Sequence, residues 1–104
     1  MSAEKQFIAR RIPWQNQTLI NICDEELLGT TISSGNVDMA ISRDYFGVDK
    51  VNESEALDLV REGSIVNLAG TRIVEKVVGE RLASEKAVKR IGSVSFLMIY
   101  KFTN

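Results

Sequence analysis

The chain has 104 residues, 44% of them apolar, and carries 13 basic against 14 acidic side chains. This length and apolar content predict a single domain over residues 1–104 with one modest core. The nearly balanced charge disfavours nonspecific binding through phosphate neutralisation, so no DNA partner is expected. Histidine, the commonest general base and transition-metal ligand, does not occur, and we predict neither a metal nor a cofactor.

The compartment is predicted from what the sequence lacks. Its single cysteine, Cys23, cannot form an internal disulfide, and the N-terminal residues show no apolar signal-peptide run. No apolar stretch approaches the roughly 18 residues of a membrane span. We therefore predict a cytoplasmic protein that makes no membrane contact.

A hairpin is predicted at the start of the chain. Lys5–Ile12 alternates in polarity and is ended by Pro13, and Thr18–Cys23 is a second apolar run. Trp14 then lies near the tip, where we expect it to cover the edge of the core. The alternative is an exposed indole that stacks on a base or contacts a partner.

The run CDEELLG, residues 23–29, is typical of a short helix that Asp24 caps and Gly29 closes. Glu25 and Glu26 suit the positive end of its dipole, so local structure explains all three acids. The alternative is an enzyme or metal site at a strand end, built from this cluster with Asn67 nearby. Cys23 itself is expected to be a buried, unreactive thiol, because its neighbours are apolar.

The middle of the chain is predicted to hold one strand between two loops. Thr30–Asn36 is a loop, and Val37–Ser42 is a strand whose inward side chains are Val37, Met39 and Ile41. Arg43–Lys50 is a second loop, which Tyr45 and Phe46 pin to the core or, alternatively, turn into a recognition surface.

Two helices are expected next. Asn52 and Glu55 form a capping box for the first, with Ala56, Leu59 and Val60 inward and Gly63 as a left-handed end. Ser64–Leu82 is predicted to be a long helix, capped by Ser64, on which the other elements pack.

The helix prediction for Ser64–Leu82 has an alternative. Its apolar residues gather on one side at 100° per residue, together with Gly70, which would permit a close backbone approach. Asn67 turns toward the same side, where a buried amide needs a hydrogen bond. The valine-rich run also fits a strand over Ile65–Leu68, with Thr71 capping a shorter helix.

The C-terminal part combines a basic turn with a strand. Ser84–Arg90 is predicted to be a short helical turn, and Ser93–Phe102 an interior strand covered on both sides. The whole pattern predicts an α/β (α+β) domain. It would consist of a small mixed, largely antiparallel sheet of about four strands against a long helix and one or two shorter helices.

Three stretches resemble the archaeal domain of unknown function 424 family in order and spacing: CDEELLG, VDMAISRDYFGVDKV and IVNLAGTRIVEKVV. The resemblance implies a compact α/β domain without an established activity, and a link to translation. Relatives carry Ile-Gly-Gly-Val-Pro-His-Ala-Gln near the C-terminus. This chain reads IGSVSFLM there and matches only at Ile91, Gly92 and Val94, so a site built from that histidine and glutamine would be absent here.

A non-catalytic interaction module of translation or RNA metabolism is therefore the expected function, with a protein or RNA of the translation machinery as partner. The candidate contact residues are one exposed indole and scattered basic side chains: Trp14, Arg10, Arg11, Lys86, Lys89 and Arg90. One alternative is a small enzyme or metal-binding protein that uses Cys23 and the adjacent acids. The other is a structural subunit of a homo- or hetero-oligomer.

Overall fold

The structure, a computed structural model, describes residues 5–101. Its strands are β1 (Lys5–Trp14), β2 (Gln17–Asp24), β3 (Thr31–Ser34), β4 (Val37–Ala40), β5 (Asp49–Asn52), β6 (Ile65–Ala69), β7 (Lys89–Ile91) and β8 (Val94–Tyr100). The helices are α1 (Arg43–Phe46), α2 (Glu53–Glu62) and α3 (Thr71–Gly79), and 3₁₀ turns occupy Glu25–Leu27 and Glu85–Ala87.

A six-stranded sheet forms the body of the fold, in the order β5-β1-β2-β6-β8-β7, and β3 pairs with β4 in a separate two-stranded sheet. Only the β2–β6 pair of the large sheet is parallel. The mixed α+β class is confirmed, whereas the prediction of about four strands against a long helix is wrong. In the described part of the chain no helix is long and apolar enough to cross a membrane.

The segment predicted as one long helix divides into β6 and α3. Between β2 and β8, the strand buries Val66 and Leu68, and β-branched side chains suit that position. The strand alternative is therefore the correct one, although Gly70 rather than Thr71 is the N-cap residue of α3. Ser64 caps no helix, and its hydroxyl accepts a hydrogen bond from the backbone N–H of Thr18.

The capping box of α2 is confirmed, since Asn52 and Glu55 each accept a hydrogen bond from the other's backbone N–H. Leu57 is buried beside Ala56 and Val60, while Leu59 is only partly buried. Gly63 ends the helix with φ of −67°, so the predicted left-handed end is wrong. A side chain there would meet Ile20, because a Cβ would lie 2.7 Å from its Cγ1 atom.

The large sheet has two unequal faces. Its helix face packs against α2 and α3 and forms the larger core, which includes Phe7, Ile20, Val66, Ile73 and Val77. The opposite face, here called the open face, is covered only in part, by α1, the β3–β4 hairpin and the first 3₁₀ turn. A smaller core lies beneath that cover: Ile8, Cys23, Ile41, Phe46 and Ala69.

The hairpin departs from the prediction in two ways. Residues 31–34 form β3 rather than a loop, and Val37 and Met39 are exposed although the alternation predicted them inward. Only Ile41 of the predicted inward set is buried. A two-stranded sheet offers no second layer to cover those side chains.

Strand β1 continues through Pro13, which was predicted to end it. Pro13 pairs with Thr18 but lies beyond the β5 pairing, which stops at Ala9. Its lack of an N–H therefore removes no ladder hydrogen bond. Trp14 is 56% exposed at the hairpin tip, so the expectation that it covers the core is wrong.

The remaining corrections concern loops and the last strand. Where a loop was predicted, α1 and β5 form; the plug role is confirmed for Phe46, which is buried, whereas Tyr45 is exposed. Strand β8 was predicted to be covered on both sides, but Met98 is 50% exposed on the open face. The predicted last residue of that strand, Phe102, lies outside the described residues.

Candidate functional site

The acidic residues at the end of β2 and in the following 3₁₀ turn bond to the start of α3 and to Lys50. Asp24 is the N-cap residue of the following 3₁₀ turn, but its side chain makes no capping hydrogen bond there. Its Oδ2 and Oδ1 atoms accept hydrogen bonds from the backbone N–H groups of Arg72 (3.0 Å) and Ile73 (2.9 Å), so it caps α3 instead. Burial raises the pKa of the Asp24 carboxyl, and the two N–H donors oppose that rise.

Glu25 and Glu26 form ion pairs, and the guanidinium that pairs with Glu26, that of Arg72, also lies 4.0 Å from Asp24 Oδ2. Glu26 contacts the guanidinium of Arg72 at 2.5 Å, which lowers the Glu26 pKa, and Glu25 contacts Lys50 at 2.8 Å. Among residues 5–101 no group of three or more His, Cys, Asp or Glu side chains is arranged to hold a metal ion.

Cys23 is fully buried beneath the open face, as predicted. Burial first, and then the charges of Asp24 and Glu26, raise the pKa of its thiol to about 12. A nucleophilic thiol requires a nearby base or positive field, and here the adjacent charges are negative.

The predicted basic set is spread over both faces of the sheet. Arg10 lies on the open face, where it donates to the backbone carbonyl of Asp44, whereas Arg11 lies on the helix face and pairs with Glu62 at 2.9 Å. Lys89 and Arg90 likewise alternate along β7, toward the open face and toward α3 respectively. Lys86 is exposed in the second 3₁₀ turn, and Trp14 lies at the β1–β2 turn.

A pair of asparagines crosses the middle of the open face. Asn21 and Asn67 are register partners on β2 and β6, and Asn67 Nδ2 donates to Asn21 Oδ1 at 2.9 Å. Asn21 Nδ2 in turn donates to the carbonyl of Tyr45 at 3.0 Å. Asn21, which is 2% exposed, was not predicted as a site residue; the available signal was an amide inside the apolar run LINIC.

This series of hydrogen bonds fixes the orientation of both side-chain amides. The Tyr45 carbonyl can only accept, so Asn21 must present Nδ2 to it and Oδ1 to Asn67. Asn67 must then present Nδ2 to Asn21, which leaves its Oδ1 directed elsewhere. No donor in the described part of the chain reaches that oxygen, and Asn67 lines a mainly apolar hollow of this face.

We call this hollow the open-face groove; it has a volume of about 630 Å³ and is bounded by β4, α1, β6, β7 and β8. Its lining is mainly apolar and includes Met39, Phe46, Ala69, Ile91, Phe96 and Met98. Polar groups enter it from Ser42, Tyr45, Asn67 and Lys89. A few convergent polar groups in an apolar hollow of this size are typical of ligand sites.

Lys89 is the one charged side chain of the lining, and within residues 5–101 it forms no ion pair. Tyr45 stands on the opposite wall, where burial first, and the neighbouring Tyr100 next, raise the pKa of its phenol. Tyr100 of β8, which is exposed like Met98 of the lining, extends the apolar surface beyond the groove. The arrangement therefore suits a ligand with an apolar body and one negative group.

Comparisons with known proteins identify a matching family and a similar fold. The sequence model of a family described as "Protein of unknown function (DUF424)" matches residues 14–102. An uncharacterized conserved protein from Methanopyrus kandleri has a similar crystal structure, with a TM-score of 0.78 at 18% identity over 95% of this chain and 94% of that one. At that identity the likeness concerns the fold. A search of curated proteins finds no match.

Proposed function

The chain belongs to the family described as protein of unknown function (DUF424), and we propose that it is a non-catalytic interaction module. In this proposal the open-face groove holds an apolar segment of another protein that carries a negative charge. The observation that carries it is the groove itself, whose apolar walls meet an amide of fixed orientation and the ammonium group of Lys89, which has no ion-pair partner within residues 5–101.

Binding fits the groove better than catalysis does. Among the described residues its lining contains no carboxylate, thiol or imidazole, so proton transfer there would depend on Lys89 or on the phenol of Tyr45, whose pKa is raised. Apolar walls supply affinity through desolvation, and a few polar groups then fix the orientation of the ligand.

A protein partner is favoured over RNA by the same geometry. Phosphate binding requires several cations on one surface, whereas Arg10 and Arg11 face opposite sides of the sheet, as do Lys89 and Arg90. Exposed methionines such as Met39 and Met98 adapt to varied apolar side chains. A place in translation or RNA metabolism is what the family resemblance implies, and identification of the partner tests it.

Affinity capture with matched variants tests the proposal. Wild type, Met98→Asp and Val48→Asp would be immobilised and exposed at mild salt to an extract of the native host. Val48 is a suitable control because it is 53% exposed, against 50% for Met98, and lies outside the groove. We expect a protein that wild type and Val48→Asp retain and Met98→Asp loses, and the purified candidate should reproduce this order in calorimetric titrations.

Equal retention of every captured protein by the three variants would contradict the proposal. Capture of RNA alone, with no protein whose retention requires Met98, would contradict a protein partner and make RNA the leading candidate. Circular dichroism and melting of each variant provide the folding control.

A further inference from the structure

We propose that the segment held in the open-face groove is extended and adds as a strand to the outer edge of β4. This inference rests on the proposed function and specifies how the partner binds. It predicts that the partner supplies an alternating peptide, with an apolar side chain in the groove and a carboxylate that reaches Lys89.

The outer edge of β4 has backbone groups available for pairing. The N–H of Ile41 donates to the carbonyl of Thr30, so the backbone at this position points toward β3. Because backbone direction alternates along a strand, Asp38 and Ala40 direct their N–H and C=O groups away from β3. No described strand pairs with that side, since β4 has β3 as its neighbour in the two-stranded sheet.

The side chains of β4 distinguish it from the other free edges. Natural edge strands are commonly protected from pairing by charged side chains. Strand β5 carries Asp49 and Lys50, and β7 carries Lys89 and Arg90, whereas β4 carries one charged residue, Asp38, and exposes Val37 and Met39. Three of the four residues of β3 are polar, and its Ser33 carbonyl lies near Gly92, at the β7–β8 turn.

The groove and the free edge are adjacent. Met39 and Ala40 of β4 both line the groove, so a strand paired with Ala40 would lie over the open face of the large sheet. From there alternate side chains would point toward Met98 and Asn67 on the floor. The unpaired Lys89 gives charge complementarity for an acidic residue of the segment, and Asn67 Oδ1 can accept from an N–H donor.

Strand addition explains why the hairpin leaves so much apolar surface uncovered. The strands β3 and β4 cover only part of the open face, so side chains of β4 and of the adjoining part of β8 remain exposed. A third strand would complete the second layer and remove Met39, Met98 and Tyr100 from water. Main-chain hydrogen bonds would then supply affinity, while the groove selects the side chain.

The test begins with a displayed library of random peptides of about ten residues, long enough to span a typical strand. The library is selected on immobilised wild-type protein, and the enriched peptides are measured by fluorescence anisotropy. We expect an alternating apolar pattern with an acidic residue. Ala40→Pro, which removes an outward N–H, should weaken binding about tenfold, and Val48→Asp, outside the groove, should stay within about twofold.

Two further measurements separate this inference from the proposed function. Met98→Asp should also weaken binding about tenfold, because it places a charge in the groove. Single N-methylation along the peptide, measured on wild-type protein, should abolish binding at every second position, and this readout needs no protein variant.

One outcome would overturn strand addition and leave the proposed function intact. In it, Met98→Asp loses binding, Ala40→Pro binds the peptide as tightly as the wild-type protein does, and every N-methylated peptide binds as tightly as the unmodified one. If no enriched peptide requires Met98 for binding, both strand addition and the proposed function would be overturned. Concentration-dependent dimerisation of wild type that Ala40→Pro abolishes would overturn the inference, because the added strand would then come from a second copy.

Discussion

A Cβ atom at position 70 would lie 2.3 Å from the carboxyl carbon of Asp24. Gly70 also has φ of +126°, which side-chain-bearing residues rarely adopt, so strain and overlap act together. Gly70→Ala should therefore destabilise the fold by about 2–4 kcal/mol, measured by denaturant unfolding. Gly79→Ala in α3 is the control: its Cβ would meet nothing within 4 Å, and better helix propensity should make it neutral or slightly stabilising. Equal stabilities for the two variants would refute the close approach.

The Arg72–Glu26 contact should make a measurable contribution to the loss of folding stability at acidic pH. The folded-state pKa of Glu26 is lowered, chiefly by the hydrogen bond from Arg72, so its contribution is present above the unfolded pKa and lost as pH falls through the folded value. Both side chains are partly exposed, so the effect is small. Melting of wild type and Glu26→Gln from neutral pH to about pH 3 should show a difference that shrinks with acidification. A difference in melting temperature that grows as pH falls would contradict a lowered Glu26 pKa.

The Cys23 thiol should resist alkylation while the protein is folded. Its pKa, raised to about 12 chiefly by burial, leaves almost no thiolate at neutral pH, and the side chain has no solvent access. Iodoacetamide labelling followed by mass spectrometry should proceed no faster than global unfolding. The guanidinium-unfolded chain serves as the control and should label readily. Rapid labelling of the native protein would revive the nucleophile alternative.

Removal of the Asn21 amide should cost more than removal of the Asn67 amide. Asn21→Leu loses two hydrogen bonds and leaves the Tyr45 carbonyl and Asn67 Nδ2 without their partner, whereas Asn67→Leu loses one. We expect a loss of about 1–3 kcal/mol for Asn21→Leu and a smaller loss for Asn67→Leu, from denaturant unfolding. The double variant should be less destabilised than the sum, because the shared bond is counted once. Strict additivity would mean that the two amides do not interact.

Single-stranded RNA should bind weakly. Because the cations are divided between the faces of the sheet, we expect an affinity no better than micromolar at physiological salt. Lys86, Lys89 and Arg90 are exposed, so their joint reversal to Glu should leave the melting temperature nearly unchanged. Anisotropy titrations at several salt concentrations measure both points. A submicromolar, strongly salt-dependent affinity lost in the triple variant would make RNA the partner.

Signals between neighbouring residues were sufficient for part of this structure. The hairpin of β1 and β2, the capping box of Asn52 and Glu55 and the burial of Cys23 were predicted because each depends on a few adjacent residues. The sequence also marks Asn67 as an amide within an apolar run, although it does not identify its partner Asn21. Its composition excludes histidine chemistry outright.

Tertiary pairing decided the rest. Ile65–Ala69 fits a helix or a strand locally, and its hydrogen bonds to β2 and β8 select the strand. Asp24 accepts from the N–H of Arg72 across 48 residues of chain, and Asn21 accepts from Asn67 across 46, so no local pattern could assign either partner. The open-face groove exists because a two-stranded hairpin covers only part of a six-stranded sheet. Such contacts depend on loop closure and strand order, which periodicity within one segment does not encode.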